Sequence, residues 1–407
     1  MKTGKRWRIW IDTGGTFTDC VALDPEDRIH RCKVLSSSSL RDRVVAVEGD
    51  RVQLAGGSLL PDDFLTGMEL SPLGAAHGAV IVEHDGKAGV VRLVEPAVEG
   101  LAPCVPVELR SPEAAPLLAA RLVTATPLRC GLPPLWMRLA TTRGTNALLE
   151  RRGARTVHFI TAGFEDLLEI GTQQRPDLFA LHIERPRPLP ELVVGVEERL
   201  ASDGSVLIPL QEESIAPVIA ELRQLGISSA SITLLHGHRN PVHEEMLEQM
   251  LVEAGFQYVA RSSALSPFQG LLRRSLTCTV DAYLGPVIGS YLHAVEGGLG
   301  GDSSLQVLTS AGGLIGARTF RPVDSLLSGP AGGVVGAAQT GARYGRDRVI
   351  AFDMGGTSTD VARFDGDFEY VFSHRVGPVE LAAPALAIET VAAGGGSICR
   401  VDQGRLV

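Results

Sequence analysis

The sequence predicts an α/β fold of layered sheets, and three observations carry that prediction. From Trp136 onward, apolar runs of strand length alternate with stretches of helical periodicity. The 46 glycines gather in short clusters instead of scattering, as they do where backbone must come close to a ligand. A glycine-centred strand–turn–strand is also written twice, as IDTGGTFTDCVA at 11–22 and as FDMGGTSTDVA at 352–362. With 407 residues the chain is too long for one simple core, so two or three domains are expected.

The bulk numbers narrow the partners. A net charge of −9 argues against nucleic acid or an anionic membrane as the main partner. No apolar run approaches the length of a membrane span, and the basic start MKTGKRWRIWID passes straight into a strand pattern without the apolar core of a signal peptide. The six cysteines are dispersed without a CxxC pair and read as free thiols of a reducing, cytoplasmic compartment. With aromatics at only 5%, the core must be built from Ala, Val, Leu and Ile.

Taken in order, WRIWID at 7–12 is a short buried strand, and CVALDPEDRIHRCKVL continues as its hairpin partner, turning at Asp24–Pro25. SSSSLRDR at 36–43 reads as a polar break. From about 58 to 110 short alternating runs such as GAVIVEHDGKAGVVRLV predict a small β-rich insertion. LWMRLATT is a strand, GTNALLERRG a helix and ARTVHFITAG the next strand. DLLEIG is a short helix, and 191–209 reads as a hairpin around SDGS. QEESIAPVIAELRQLG and NPVHEEMLEQMLVEAG are helices, each followed by a strand. A long helix is expected over 267–297, then the strand and glycine turn SLQVLTSAGGL. The segment 324–342 is a glycine-dotted helix or hinge, and RVIAFDMGGTSTDVARFDG is strand, turn and strand.

The two copies agree at six positions: Asp12, Gly14, Gly15, Thr16, Thr18 and Asp19 match Asp353, Gly355, Gly356, Thr357, Thr359 and Asp360. Paired glycines let a turn present backbone N–H groups to phosphate oxygens without a Cβ in the way, and threonine hydroxyls add neutral donors. An aspartate at the strand end can hold Mg2+ through water or position a nucleophile. One copy alone is an ordinary hairpin turn. Two copies suggest equivalent half-domains that grip the phosphates of one ATP from opposite sides. The paired motifs resemble the actin, sugar-kinase and chaperone-ATPase superfold, a duplicated ribonuclease-H-like architecture, and no P-loop or Rossmann fingerprint competes with them.

The resemblance extends further. DTGGTFTD, TTRGTNALLERRGART, ITAGFEDLLEIG, RPDLF, NPVHE, SAGGL, SGPAGGVVGA, DMGGTSTD and AAGGGSI follow one another in an order similar to the hydantoinase/oxoprolinase family, nearest to the N-terminal ATP-binding part of its 5-oxoprolinases. That resemblance covers 7–35 and about 136–407. It implies ATP- and Mg2+-dependent opening of a cyclic amide, with 5-oxo-L-proline and water giving L-glutamate, ADP and phosphate. Phosphorylation of the lactam oxygen would make a poor electrophile open to water, and the transfer needs mainly positioning and charge stabilisation. The implied phosphate contacts are Gly14, Gly15, Thr16, Gly355, Gly356 and Thr357. Asp12 and Asp353 are candidates for Mg2+ or water positioning, with Asp19 and Asp360 as supporting or turn-capping groups. Thr141, Thr142 and Asn146 stand where a strand meets a helix N-terminus, as a cap and as a contact to substrate or phosphate. Gly394 and Gly395 would give another close backbone approach to ligand; a flexible turn is the plainer alternative.

Other clusters weigh less. His236, His238 and His243 lack an obvious fourth ligand for a metal. Arg175, Asp177 and Arg185 could meet a substrate carboxylate, though solvated loop charges are commoner. Cys278 reads as a small buried core residue. The expected layout is therefore a first half-domain over 1–57 and 111–345, the β-rich insertion at 58–110, and the start of a second, truncated half at 346–407. A hydrolytic C-terminal region or second subunit would complete the enzyme. Two further readings stay open: a hydantoinase or ATP-dependent ketone carboxylase subunit, and a non-catalytic actin-like ATP-binding scaffold or inert N-terminal fragment.

Overall fold

The computed structural model describes residues 6–94, 99–173, 179, 181–182, 187–356, 358–377, 379–402 and 404–406. The chain is a mixed α/β protein that divides into two compact units. The first holds 1–143, 290–308 and 314–319; the second holds 144–289, 309–313 and 320–407. Among the described residues no helix is long and apolar enough to cross a membrane.

In the first unit a six-stranded sheet runs in the order Leu314–Gly316, Ser304–Leu308, Leu135–Thr141, Trp7–Thr13, Phe17–Leu23, Ile29–Leu35. The strand Trp7–Thr13 pairs parallel with Leu135–Thr141 and antiparallel with Phe17–Leu23, so the first glycine hairpin is built into the middle of the sheet. Strict alternation places Ile9, Ile11, Cys20 and Ala22 on one buried face. The helix Ala115–Thr124, with Leu117, Leu118, Ala119 and Ala120 sealed from solvent, packs against these strands.

Between that sheet and that helix the chain closes a six-stranded barrel from Ser39–Glu48, Arg51–Leu54, Val90–Leu93, Ala79–Asp85, Glu69–Pro72 and Pro106–Arg110, in that neighbour order. Its interior is Val44, Val52, Leu54, Leu70, Ile81, Val91, Leu93, Val107 and Leu109, with Phe64, Leu65 and Met68 also buried. One aliphatic face per strand is enough, because closure removes the exposed edges. The first barrel strand overturns the reading of 36–43 as a polar break. Arg41, Asp42 and Arg43 pair in register with Glu108, Val107 and Pro106, and Asp42 accepts the Gly56 N–H at 2.9 Å. The barrel thus starts upstream of residue 58.

The second unit contains a four-stranded parallel sheet, ordered Leu192–Val196, Thr156–Thr161, Ser229–Thr233, Tyr258–Arg261. Its central strands are buried along their whole length, as expected for a parallel sheet covered on both faces. On one face Val157, Phe159, Ile232, Ile215, Ile219, Leu247 and Leu251 belong to one buried hydrophobic cluster. On the other, Ser229 Oγ donates to Ala282 O at 2.6 Å, and Ala260 packs with Cys278 and Ala282 of the helix Leu271–Gly297. The expected hairpin over 191–209 is only partly formed. Leu192–Val196 is a Val-rich parallel strand beside Thr156–Thr161, and only Arg199–Leu200 and Val206–Ile208 pair as a hairpin.

This unit also holds the second glycine hairpin, Arg348–Met354 with Thr359–Asp365, extended antiparallel by Glu389–Val391. The glycine-dotted segment before it is a helix, Ser328–Arg343, whose Ala331 and Val334 pack with Ala351, Ala362 and Leu386.

Candidate functional site

The first hairpin sets Asp12 opposite Asp19 and Thr13 opposite Thr18. Gly14 N–H donates to Phe17 O at 2.9 Å and closes the turn; a Cβ on Gly14 would stand only 3.2 Å from the same oxygen. Gly15 and Thr16 at the tip are exposed, as are Asp12 and Asp19. Ser36 holds the turn from the third strand: its Oγ donates to Gly14 O at 2.8 Å and its N–H to Thr16 O at 2.9 Å. Lys33 Nζ lies 3.0 Å from the Asp19 carboxylate, an exposed ion pair beside the turn.

The carboxyl end of the parallel neighbour meets this turn. Thr13 is in register with Thr141, and Thr142 donates to Thr13 O through its N–H at 2.9 Å and its Oγ1 at 3.3 Å. Thr141 is buried and accepts the Arg143 N–H at 3.1 Å, a helix-capping bond; Thr142 is half-buried. Asn146 lies in the same short helix, Arg143–Leu149, on residues that belong to the second unit. Two further groups complete the cluster without having been singled out from the sequence. Tyr291 O–H donates to Thr13 Oγ1 at 3.3 Å, and the exposed Arg143 places its guanidinium 4.9 Å from the Tyr291 ring centre. Burial pushes the Tyr291 phenol up, so it stays a donor. Arg143 stood inside the quoted TTRGTN. Tyr291, 278 positions from Thr13, carried no local signal.

The second hairpin repeats the first. Asp353 faces Asp360, Met354 faces Thr359, and Gly355 N–H donates to Ser358 O at 2.9 Å. Asp353, Gly355 and Gly356 are exposed. Thr357 lies outside the described residues. The third glycine cluster lies on this turn: Gly395 N–H donates to Gly355 O at 2.9 Å and Gly396 N–H to Gly356 O at 2.8 Å. A Cβ on Gly396 would meet Gly356 O at 3.0 Å, so the close approach these glycines permit is to the turn itself. Gly394 N–H goes to Ser397 Oγ at 2.9 Å. Thr390 Oγ1 donates to Asp360 at 2.7 Å.

Both hairpins thus set two carboxylates face to face across a ladder, an arrangement that favours a cation between or beside them. Their oxygens are hard donors and Asp12 and Asp353 are solvent-exposed, which suits Mg2+ held by one carboxylate plus waters. Among the described residues no three His, Cys, Asp or Glu side chains group to hold a metal by themselves.

Of the remaining candidates, His243 and Cys278 are engaged elsewhere. His243 lies 2.7 Å from Glu198 through Nδ1, and Leu210 N–H donates to its Nε2 at 3.4 Å. The His236 and His238 ring centres are 6.2 Å apart. Cys278 is fully buried and donates to Ala260 O at 3.1 Å, and burial pushes its thiol well up. Arg175, Asp177 and Arg185 lie outside the described residues.

The chain is 42% identical over 294 residues to 5-oxoprolinase 1 of Arabidopsis thaliana, covering 66% of this chain and 23% of that protein. It therefore spans less than a quarter of that relative's length. Two solved structures share the fold. One is nucleotide-free acetone carboxylase, with a TM-score of 0.65 and 19% identity, covering 98% of this chain and 50% of that one. The other is the ATP-dependent caprolactamase of Pseudomonas jessenii, with a TM-score of 0.64 and 24% identity, covering 97% and 49%. The family models described as hydantoinase/oxoprolinase N-terminal region and hydantoinase/oxoprolinase match residues 8–55 with 133–255 and residues 274–407 respectively, leaving out 56–132, where most of the barrel lies. Both glycine hairpins and the Thr141–Thr142 corner fall inside the matched stretches, and the chain belongs to the hydantoinase/oxoprolinase family.

Proposed function

We propose that this chain supplies the ATP-binding, phosphorylating part of an ATP-dependent cyclic amide hydrolase, with 5-oxo-L-proline opened to L-glutamate as the reaction. The observation that carries the reading is the repeated turn: Gly14 N–H to Phe17 O and Gly355 N–H to Ser358 O, both at 2.9 Å, each beside a pair of facing aspartates. We read the fold as actin-like, a duplicated ribonuclease-H-like architecture, in which each such turn suits the phosphate oxygens of a nucleotide. The similarity to 5-oxoprolinase 1 supports the choice of substrate, and the likeness to caprolactamase supports ring opening as the reaction class.

In this reading Gly14 and Gly355 close the turns through their own N–H groups, and the exposed tips Gly15–Thr16 and Gly356 turn backbone N–H groups toward phosphate oxygens. Asp12 and Asp353 would hold Mg2+, which when bound neutralises charge on the transferring phosphoryl group. Thr142 orients the first turn through Thr13 O, and Tyr291 fixes the Thr13 hydroxyl. Arg143 brings a cation to the carboxyl ends of the two parallel strands, where developing negative charge would gather. Ring opening by water is assigned to a further region or second subunit.

Calorimetric titration with ATP and Mg2+ tests the reading. The intact chain should bind, and the Asp12→Ala, Asp353→Ala double variant should bind at least about tenfold more weakly. Binding left unchanged in the double variant would remove the hairpins from the site. With the complementary hydrolytic polypeptide added, phosphate release should depend on 5-oxo-L-proline rather than on hydantoin or acetone. The reverse preference would move the substrate within the family.

A further inference from the structure

The strands Phe17–Leu23 and Ile29–Leu35 run antiparallel, and their register sets Cys20 directly opposite Cys32. Side chains opposite one another in such a ladder lie on the same face of the sheet. That face is the one beneath the helix Ala115–Thr124: Cys20 is sealed, Cys32 is half-buried, and Cys32 Sγ donates to Ala119 O at 3.5 Å. Among the described residues Ile29–Leu35 is the edge strand of the six-stranded sheet, so Cys32 is the outer of the two thiols. The backbone bonds from Asp24 N–H to Arg28 O at 3.1 Å and from Ser36 N–H to Thr16 O at 2.9 Å fix the phase of the ladder, because bonded pairs recur at every second residue. Cys20 and Cys32 are therefore a bonded pair, with Cα atoms about 5.5 Å apart. A disulfide spans roughly 4.4–6.8 Å between Cα atoms, so the rung is of bridging length.

Both residues are free thiols, and their sulfurs are hydrogen-bonding neighbours. The Cys20 S–H donated to the Cys32 sulfur holds the Cys32 thiol below its ordinary value, against burial and the nearby Asp19 carboxylate. The same pairing, with burial, pushes Cys20 up. The half-buried sulfur is thus the nucleophile and the sealed one its partner. Opposed Cβ atoms in a ladder stand about 4.5–5.5 Å apart, wider than the roughly 3.5–4.5 Å of a relaxed disulfide. Closing the bond draws the two strands together, and a bridge closed that way is readily reopened by thiols.

We propose that Cys20 and Cys32 form a reversible redox-modification site, closed to a cross-strand disulfide by a hydroperoxide. The Cys32 thiolate attacks one peroxide oxygen, the O–O bond breaks, and the leaving oxygen departs as water once protonated, leaving a sulfenic acid on Cys32. Cys20 then loses its proton and bonds to the Cys32 sulfur, expelling the sulfenic oxygen as a second water. Two thiols and one hydrogen peroxide give one disulfide and two waters: the sulfurs lose two electrons and the peroxide gains them. The bridge would lie one rung from the Asp19–Lys33 ion pair, on the strand that leads to Ser36, the brace of the first glycine turn. The inference holds whether or not that turn binds nucleotide.

Brief treatment of the intact chain with equimolar hydrogen peroxide, alkylation in denaturant and non-reducing peptide mass spectrometry test it, with the exposed Cys104, Cys130 and Cys399 as internal references. The expected product is a peptide pair joined through Cys20 and Cys32, at least about tenfold more abundant than any other joined pair, because its second step is intramolecular. Reduced glutathione should abolish it. Cys20→Ala, checked for an unchanged melting temperature, should leave a Cys32 sulfenic acid that a cyclic 1,3-dione traps. The bridge in the unaltered chain carries the test even if that variant fails to fold. Oxidation of the exposed cysteines with Cys20 and Cys32 both still alkylated would overturn the proposal. So would a main product joining either residue to Cys104, Cys130 or Cys399, a bridge that glutathione cannot open, or a folded Cys20→Ala chain whose Cys32 gives no trapped sulfenic acid.

Discussion

Ile9 and Ile350 occupy the same place in the two hairpins, three residues before the leading aspartate, yet Ile9 is sealed and Ile350 is 73% exposed. The next residues on that face repeat the contrast: Ile11 is 3% exposed against 63% for Phe352, and Thr13 is 8% against 56% for Met354. In the first unit the helix Ala115–Thr124 packs over the strands, close enough for Cys32 Sγ to reach Ala119 O at 3.5 Å, and Leu135–Thr141 flanks Trp7–Thr13. In the second unit the helix Ser328–Arg343 packs on Ala351 and Ala362, the other face, and among the described residues Arg348–Met354 is an edge strand. The lesson is that turn geometry travels with the local sequence, whereas burial is conferred by neighbours far along the chain.

The largest expected effect tests that lesson directly. Ile9→Ala should cost about 2–4 kcal/mol in denaturant unfolding, and Ile350→Ala less than about 0.5 kcal/mol. Equal costs would show that the two strands share one environment after all. Acidity should then separate the units by sign. Burial raises Asp281 to about 6, despite hydrogen bonds from the Tyr258 hydroxyl and the Val323 N–H. Its contribution to stability is complete below the unfolded value of about 3.9 and is lost as pH rises through about 6, on the order of 2–3 kcal/mol in all. Asp281→Asn should flatten that loss, read by hydrogen exchange along Leu271–Gly297. Asp24 in the first unit is pushed up by burial, but His30, Arg28 and the backbone N–H groups of Arg28 and Glu26 outweigh this and hold it at about 2. That contribution is present above about 3.9 and lost as pH falls through about 2. Trp7, Trp10 and Trp136 all lie in the first unit, so tryptophan fluorescence should report only the acid-side loss. A smaller effect concerns the braces on the turns. Ser36→Ala should cost about 1 kcal/mol, because a side chain holds the first turn. Ser397→Ala should cost a few tenths of that, because backbone bonds from Gly395 and Gly396 hold the second. Amide exchange at Gly14 and Gly355 would show a comparable loosening of both turns if the braces were equivalent.

These contrasts also explain what could be read from residues alone. The hairpins were legible because a Gly-Gly turn between apolar strands is determined within about ten residues. The alternation of helices and strands in the second unit was legible for the same reason. The first barrel strand was not, because Arg41, Asp42 and Arg43 look like a loop until 106–110 arrives to pair with them. The strand Leu192–Val196 was assigned to a hairpin because its parallel partner stands more than thirty residues upstream. At the candidate site, Asp12, the glycines and Thr142 announced themselves through motif, and Arg143 was overlooked inside one. Tyr291 could not be found at all, since only tertiary packing brings it to Thr13.

The barrel has its own consequence. Its first and last strands are partners, with Ser39 in register beside Arg110, and Ser111 N–H donates to Ser38 O at 2.9 Å. Neighbouring antiparallel strands stand about 5 Å apart, so the chain enters and leaves the barrel at almost one point. A segment with adjoining ends behaves as a cassette: one genetic event can add or delete it, and a short glycine linker from Ser38 to Ser111 would restore continuity without moving the glycine hairpin or the helix Ala115–Thr124. For an engineer it is the natural place to insert a reporter or an affinity module.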